Sequence, residues 1–493
     1  MTNIKQKTIN GMAWSVSERI SLQVLHMGIS IILARLLEPS EFGLIGMLAI
    51  FTNIAQSILD SGFGSALIQK KDATQTDSSS IFYFNLFIGI ILASAFFFFA
   101  PSISNFFQQP SLIPITRALS LSLIINAFSL IQLSMLRKKL DFKNIFFVGL
   151  ISVIFSGVCS IVAAIMGLGV WSLVIQTLSQ SLAQACTLWL LNKWRPVGNF
   201  SFSSLKTMFS FGSKLLVAGL LETFFKNLYD TFIGKNYSTS ELGYYNRART
   251  SESAATATTS MALATVIFPA FSPFQDDNQT LKSVHSKTIK MSMFLHIPLM
   301  IGLIAIAEPL LLFLLTDKWA NSIVYFQLLC ILGLVYPIQV QNFNLLRIKG
   351  RTDYILNFGI FKHLLTAIAL FLTYRHGIIA LIIGQVAVAV VSQLIASYFA
   401  GRLIEFSILD LLKTIWLSST LSLAMGTILY FVGKLNIEIH LLKFSLQIFI
   451  GIIFYYFINI MIKSPELKEF ISIIKHFYNG SITILKGTLC KRH

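Results

Sequence analysis

The chain has 493 residues, of which 55% are hydrophobic and only 12% charged, and its mean hydropathy is +0.73. That composition excludes a soluble globular protein of ordinary make-up. The net charge of +17 would suit a nucleic-acid binder only if basic residues clustered on a soluble face with aromatic side chains between them, and no such cluster occurs.

Apolar runs of roughly 20 residues, long enough to cross a hydrocarbon core as helices, recur along the whole chain. Lipid offers the backbone no hydrogen-bond partner, and barrel strands would be shorter and alternating, so the expected fold is an all-α polytopic membrane protein. Breakers such as "SGFG", "QQPSLIP", "KWRPVGNF" and "AEPLL" delimit about fourteen spans. The first six fall near 11–34, 42–60, 78–100, 114–136, 143–166 and 169–191. The next six fall near 208–233, 242–271, 288–315, 322–346, 353–374 and 377–400, and two more near 411–433 and 440–462. Lys5 and Lys7 precede the first run as in a signal peptide, but that run carries Glu18 and Arg19 and is too long for a cleaved apolar region, so it reads as a retained span. The loops are short and leave no room for a soluble catalytic domain. Cys159, Cys186, Cys330 and Cys490 lack metal-ligand spacing, and the first three lie in apolar runs, where a thiol behaves as a small hydrophobe. "NKWRPVGNF" after the sixth span reads as an interfacial belt, with Trp194 at headgroup depth.

Short cytoplasmic loops carry the excess of Lys and Arg. Of the 38 basic residues, 25 fall on one set of ends and loops, seven on the other and six inside spans, which puts both termini in the cytoplasm.

One phrase is said twice. "LEPSEFGLIG" (37–46) follows the first span and "NYSTSELGYYN" (236–246) follows the seventh, so that Ser40, Glu41 and Gly43 recur as Ser240, Glu241 and Gly243. Further echoes agree: "SMLRKKLDF" (134–142) with "NLLRIKGRTDY" (344–354), "APSI" (100–103) with "EPLL" (308–311), and "GVWSLVI" (169–175) with "GIIALII" (377–383). The expected organisation is therefore an N-terminal six-helix lobe over 1–200, a C-terminal six-helix lobe over 201–402, two additional helices over 403–463 and a cytoplasmic tail over 464–493. An even number of spans per copy gives both the same orientation, with a pseudo-symmetry axis along the membrane normal; transporters so built bind at the interface of their halves. Locally, Ser40 and Ser240 read as N-caps, with Glu41 and Glu241 in the first helical turn where the dipole favours an anion.

An ionisable residue at a helix centre costs roughly 2.5–3.5 kcal/mol on insertion, so it normally faces a cavity or a partner. Ten lie inside spans: the basic Arg19, Lys214, Lys226, Arg247, Arg249 and Lys362, and the acidic Glu18, Glu222, Asp230 and Glu252. Nine of them fall in spans 1, 7 and 8; Lys362, beside His363, is in span 11. Glu222, Lys226 and Asp230 step by four, which predicts one polar stripe on span 7, and the 200-residue offset sets His26 opposite Lys226. Together they suggest a water-filled, modestly basic cavity between two halves. The basic groups are candidates for binding an anionic head group, since Arg forks a phosphate and Lys supplies a point charge. Glu18, His26, Glu222, Asp230 and Glu252 are candidates for ion coupling or for structural pairing; the plain alternative is that all these charges hold helices in register as ion pairs.

No phosphate loop, "H-E-x-x-H" or dinucleotide motif is present, so no catalytic residue, metal or cofactor is expected. "ILARLLEPSEFGLIGM", "DSGFGSALIQKKD", "LRKKLDF", "GVWSLVIQ", "WRP" and "LYDTFIGKNYSTSELGYYNRA" together resemble the polysaccharide-transporter (O-antigen flippase) branch of the multidrug/oligosaccharidyl-lipid/polysaccharide exporter superfamily, over almost the whole chain. The resemblance implies alternating access in the bacterial inner membrane. It also implies flipping of undecaprenyl-pyrophosphate-linked oligosaccharide units, for O-antigen, capsule or exopolysaccharide assembly beside a glycan polymerase and a chain-length regulator. In related flippases basic residues of spans 1, 7 and 8 line the central cavity, which supports Arg19, Lys226, Arg247 and Arg249. Two other readings stay open: a cation-coupled antiporter of the same superfamily, which would want an acidic cavity, and a membrane polymerase or ligase, which usually carries a large periplasmic loop.

Overall fold

A computed structural model describes residues 2–60, 62–70, 72–198, 200–271, 277–435 and 439–472, the side chains of 2–13, 15–17, 207, 210–212, 214–215 and 258–271 excepted. Contacts divide the chain into two compact units, Met1–Asn246 and Arg247–His493. The first holds α1 (Thr2–Leu36), α2 (Pro39–Asp60), α3 (Phe63–Gln69), α4 (Gln75–Phe107), α5 (Leu112–Lys138), α6 (Phe142–Ile165), α7 (Trp171–Leu191), α8 (Phe202–Lys226), α9 (Leu228–Asn236) and the start of α10 (Thr239–Phe271). The second holds the rest of α10, then α11 (Asn278–Leu315), α12 (Ser322–Gly333), α13 (Tyr336–Ile348), α14 (Thr352–Thr373), α15 (Ile378–Arg402), α16 (Ile408–Gly433) and α17 (His440–Met461). No strand occurs among the described residues, as expected of a chain whose backbone must satisfy itself in lipid.

Eleven segments among the described residues are long and apolar enough to cross a membrane. The remaining expected spans correspond to α7, to α8 with α9, and to α10, helical stretches richer in polar side chains. Two expected spans are broken. Span 10 divides into α12 and α13, with Pro337 in the first turn of α13, where its missing N–H costs nothing. Span 7 divides at Asn227, a buried residue whose Oδ1 accepts from Asn53 Nδ2 at 3.0 Å and whose Nδ2 donates to Thr223 O at 2.7 Å. Ser57 and Thr223 hydroxyls meet at 2.9 Å one turn away, so α8 packs on α2 through two polar pairs spaced four apart on both helices.

Prolines inside helices leave a carbonyl four residues earlier without its usual donor. In the first unit Pro101 frees Phe97 O, and the Arg117 guanidinium lies 4.6 Å from the Phe97 ring with Nε 3.5 Å from that oxygen. In the second, Pro298 frees Phe294 O, which Tyr455 takes by donating its hydroxyl at 2.9 Å. α11, with 38 residues, is about 57 Å long at 1.5 Å per residue, well beyond a hydrocarbon core. Its N-terminal part carries Lys287 and Lys290, which pair with Glu469 and Glu466 at 2.6 Å each, so the start of the expected tail is a helical stretch bound to α11. The segment around Trp194 has protein contacts of its own. The 192–201 segment is fastened to α4: Val197 and Ser201 N–H donate to Ser79 and Ser80 hydroxyls at 2.9 and 2.8 Å, and Trp194 Nε1 donates to Gln75 at 2.8 Å. Trp194 packs on Phe82, against a core of Phe63, Ile81 and Ile131.

The repeated phrase has a packing reason. A methyl group on Gly43 would overlap Thr239 O, and one on Gly243 would overlap Pro39 O. Each glycine thus receives the carbonyl of the residue four before the other, and the two copies meet as reciprocal partners in the first unit, the arrangement of an isologous two-fold contact within one chain. The helices begin two residues earlier than the serines suggested. Pro39 and Thr239 are the first helical residues, and Glu38 and Ser238 occupy the caps. Glu41 accepts from Glu38 N–H at 2.7 Å, and Glu241 N–H donates to Ser238 Oγ at 3.2 Å.

Because main chain rather than a mobile side chain fills the space, Gly43→Ala and Gly243→Ala should each cost about 1–3 kcal/mol by overpacking. Gly28→Ala, with open space around it, should not. Thermal melts of the three purified variants in one detergent check this; a Gly43→Ala melt matching wild type would refute the reciprocal contact.

Candidate functional site

The first unit holds seven of the expected site residues. Glu18 is half-buried on α1, Arg19 and His26 are exposed on the same helix, and the Arg137 guanidinium at the end of α5 acts electrostatically on Glu18. Glu222 and Lys226 are exposed near the end of α8, whereas Asp230 is buried in α9 beyond the Asn227 break. The continuous stripe expected on one helix is therefore corrected: polar pairing of Asn227 with α2 ends α8 before the third member. The Lys214 side chain lies outside the described residues.

The second unit holds the other four. Arg247 is buried, its guanidinium carbon 5.2 Å from the centre of the fully buried Trp319 ring. Glu252 is buried too and accepts from Thr256 Oγ1 at 2.6 Å; it fits because Gly333 of α12 has no side chain, a Cβ there being 2.5 Å from its Oε1. His296 Nε2 lies 3.0 Å from Gly333 O, continuing this polar seam. Arg249 is half-buried, its carbonyl accepting from Ser253 Oγ at 2.7 Å. Lys362 is half-buried on α14. Lys226, Asp230, Arg247 and Arg249 each already have a partner in the structure, so an incoming phosphate would have to exchange for an existing contact.

A further site lies wholly in the first unit. A cavity of about 730 Å³ opens among the ends of α2 and α5, α3, α4 and α7, with Gln56, Asp60, Asn85, Asn126, Ser129, Arg137, Gln180 and Gln184 in its lining. That volume is in the range of roughly 300–1,000 Å³ typical of small-molecule sites. Asn126 Nδ2 donates to Gln56 Oε1 at 3.1 Å, and Gln56 Nε2 lies 3.4 Å from Asp60 Oδ1. Arg137 acts electrostatically on Asp60. The cavity sits at the end of the unit where Lys138 donates to Leu67 O and Lys70 O, the last turn of α3. Sequence reading passed over it because neutral amides and hydroxyls spread over four helices disturb no single apolar run. The available signal was the fourfold spacing of Gln180 and Gln184, and of Gln56 and Asp60.

Comparison with known proteins places these observations. A family model described as polysaccharide biosynthesis protein matches residues 32–324. The lipopolysaccharide biosynthesis protein WzxC of Escherichia coli (strain K12) is 24% identical over 440 residues, 87% of this chain and 88% of that protein. The teichuronic acid biosynthesis protein TuaB of Bacillus subtilis (strain 168) is 25% identical over 434 residues, 87% of this chain and 90% of that protein. Among solved structures, the lipid II flippase MurJ in an inward closed conformation superposes with a TM-score of 0.75 at 15% identity, over 92% of this chain and 99% of that one. At that identity the likeness speaks for the fold alone.

Arg247→Lys keeps the charge but loses the planar contact with Trp319, and should lower stability by about 0.5–2 kcal/mol. Size-exclusion recovery after heating reads the effect, and an unchanged midpoint would show that the buried guanidinium contributes charge alone.

Proposed function

The chain belongs to the polysaccharide biosynthesis protein family, and we propose that it is a flippase, carrying lipid-linked oligosaccharide repeat units from the cytoplasmic to the periplasmic leaflet by alternating access. One observation carries this reading: relatives matching most of the chain are named for different polymers, a lipopolysaccharide in one case and a teichuronic acid in the other. A common protein serving different sugars belongs at a step shared by their assembly, and moving a lipid-linked precursor across the membrane is such a step. The polytopic helical fold and short loops suit transport. A likeness of fold to a lipid II flippase agrees with it.

In this reading the lipid is undecaprenyl pyrophosphate, both termini are cytoplasmic, and the product feeds O-antigen, capsule or exopolysaccharide synthesis beside a glycan polymerase and a chain-length regulator. The two six-helix lobes, 1–200 and 201–402, alternate around the cargo. Arg19, Lys214, Lys226, Arg247, Arg249 and Lys362 supply the cationic contacts. Arg19, exposed on α1, is better suited to meet a pyrophosphate than Arg247, which is buried against Trp319; Lys226 is exposed too but would exchange a present partner. Glu18, His26, Glu222, Asp230 and Glu252 serve coupling or pairing. Glu252, buried and hydrogen-bonded to Thr256, fits the pairing role.

Lys226→Ala and Arg249→Ala should each abolish export, with lipid-linked glycan accumulating on the inner leaflet and the protein still present in the membrane. Surface polysaccharide at wild-type level in both variants, at equal expression, would remove these residues from the cargo path.

A further inference from the structure

The cavity of the first unit has a chemistry of its own. Its two charged groups, Asp60 and Arg137, are of opposite sign and act on one another, so they offer no net charge to an anion or a cation. Around them stand the carboxamides of Gln56, Asn126, Gln180 and Gln184, each both donor and acceptor. The side chains of Gln180 and Gln184, one turn apart on α7, make no hydrogen bond among the described residues. Asn85 and Ser129 add a further carboxamide and hydroxyl residue to the lining. No aromatic side chain is among the described residues of its lining, which disfavours a flat apolar ligand. An uncharged molecule rich in hydroxyls, each of them donor and acceptor at once, matches such a wall.

We propose that this cavity binds the neutral sugar portion of the cargo, holding hydroxyls on the α7 carboxamides and on the Asn126–Gln56–Asp60 chain, and so selects glycosylated lipid over bare carrier. The assignment rests on the flippase reading and adds to it a second contact region, separate from the cationic groups. It also gives a reason for recognition at the end of the unit with the basic loops: a cytoplasmic head group meets the sugar-reading wall before any transfer. A wall built to pair hydroxyls rejects a ligand that lacks them, because its own polar groups are then left unmade.

The test uses the full-length protein in lipid nanodiscs and two probes. One is undecaprenyl pyrophosphate; the other is the lipid-linked glycan extracted from cells lacking the transporter. Wild type should bind the glycosylated probe at least about tenfold tighter than the bare lipid. Gln184→Leu and Asn126→Leu should bring the two affinities within about twofold, the bare-lipid affinity staying at the wild-type value. Asn126→Gln, which keeps the carboxamide, should recover part of the preference. Should the leucine variants not fold, Gln184→Cys in a Cys186→Ser background serves instead, its labelling by a maleimide slowed by the glycosylated probe and not by the bare lipid. A preference that survives both leucine variants, or labelling indifferent to the glycan, overturns the sugar assignment while leaving transport intact. Failure of wild type to bind either probe overturns the flippase reading itself.

Discussion

A backbone carbonyl or N–H in hydrocarbon must find its partner inside the protein, and this requirement organises the chain more than any side-chain contact. It makes every described element a helix, and it explains where the helices tolerate interruption. Pro101 and Pro298 each free a carbonyl, and each time a side chain from a neighbouring helix comes to it, Arg117 in one case and Tyr455 in the other. The Asn227 break obeys the same accounting, its side chain bonding back to Thr223 O while receiving Asn53 from α2. At these three places the interruption also fastens one helix to another.

The same economy shapes the polar interior. Charged residues are few, and those described either occupy exposed positions, as Arg19 and Lys226 do, or sit in fitted places, as Arg247 does over Trp319 and Glu252 does against Gly333. Neutral polar groups are used more freely, because an amide or hydroxyl in a helix bundle costs less to bury than an ion. The result in the first unit is a cavity whose polar lining is mostly carboxamide and hydroxyl, next to loops dense in lysine. On the proposed function, such a division would separate recognition of a charged head group from recognition of a sugar.

Much of this was legible in the residues. Apolar runs and their breakers located the helices, and the 200-residue echo of Ser40, Glu41 and Gly43 singled out two segments whose glycines meet in the structure. What stayed hidden depends on tertiary contact. Nothing local in "FFKNLYD" announces that the helix stops at Lys226, since the cause lies in Asn53 and Ser57 of another helix. The bond of Trp194 to Gln75 and its packing on Phe82 likewise depend on α4 and are not visible in its own segment. The cavity escaped notice for a different reason: each of its residues is unremarkable on its helix, and only the meeting of α2, α4, α5 and α7 makes them a site.

The reciprocal glycine contact also bears on how such a chain can change over generations. Where two side chains collide, a second substitution can shrink the neighbour and restore the fit. Here each neighbour is a peptide carbonyl, of Thr239 on one side and Pro39 on the other, and no mutation shortens a peptide bond. The two segments that carry the repeated phrase are thereby tethered at this point, free to drift elsewhere but obliged to keep the same small residue in both.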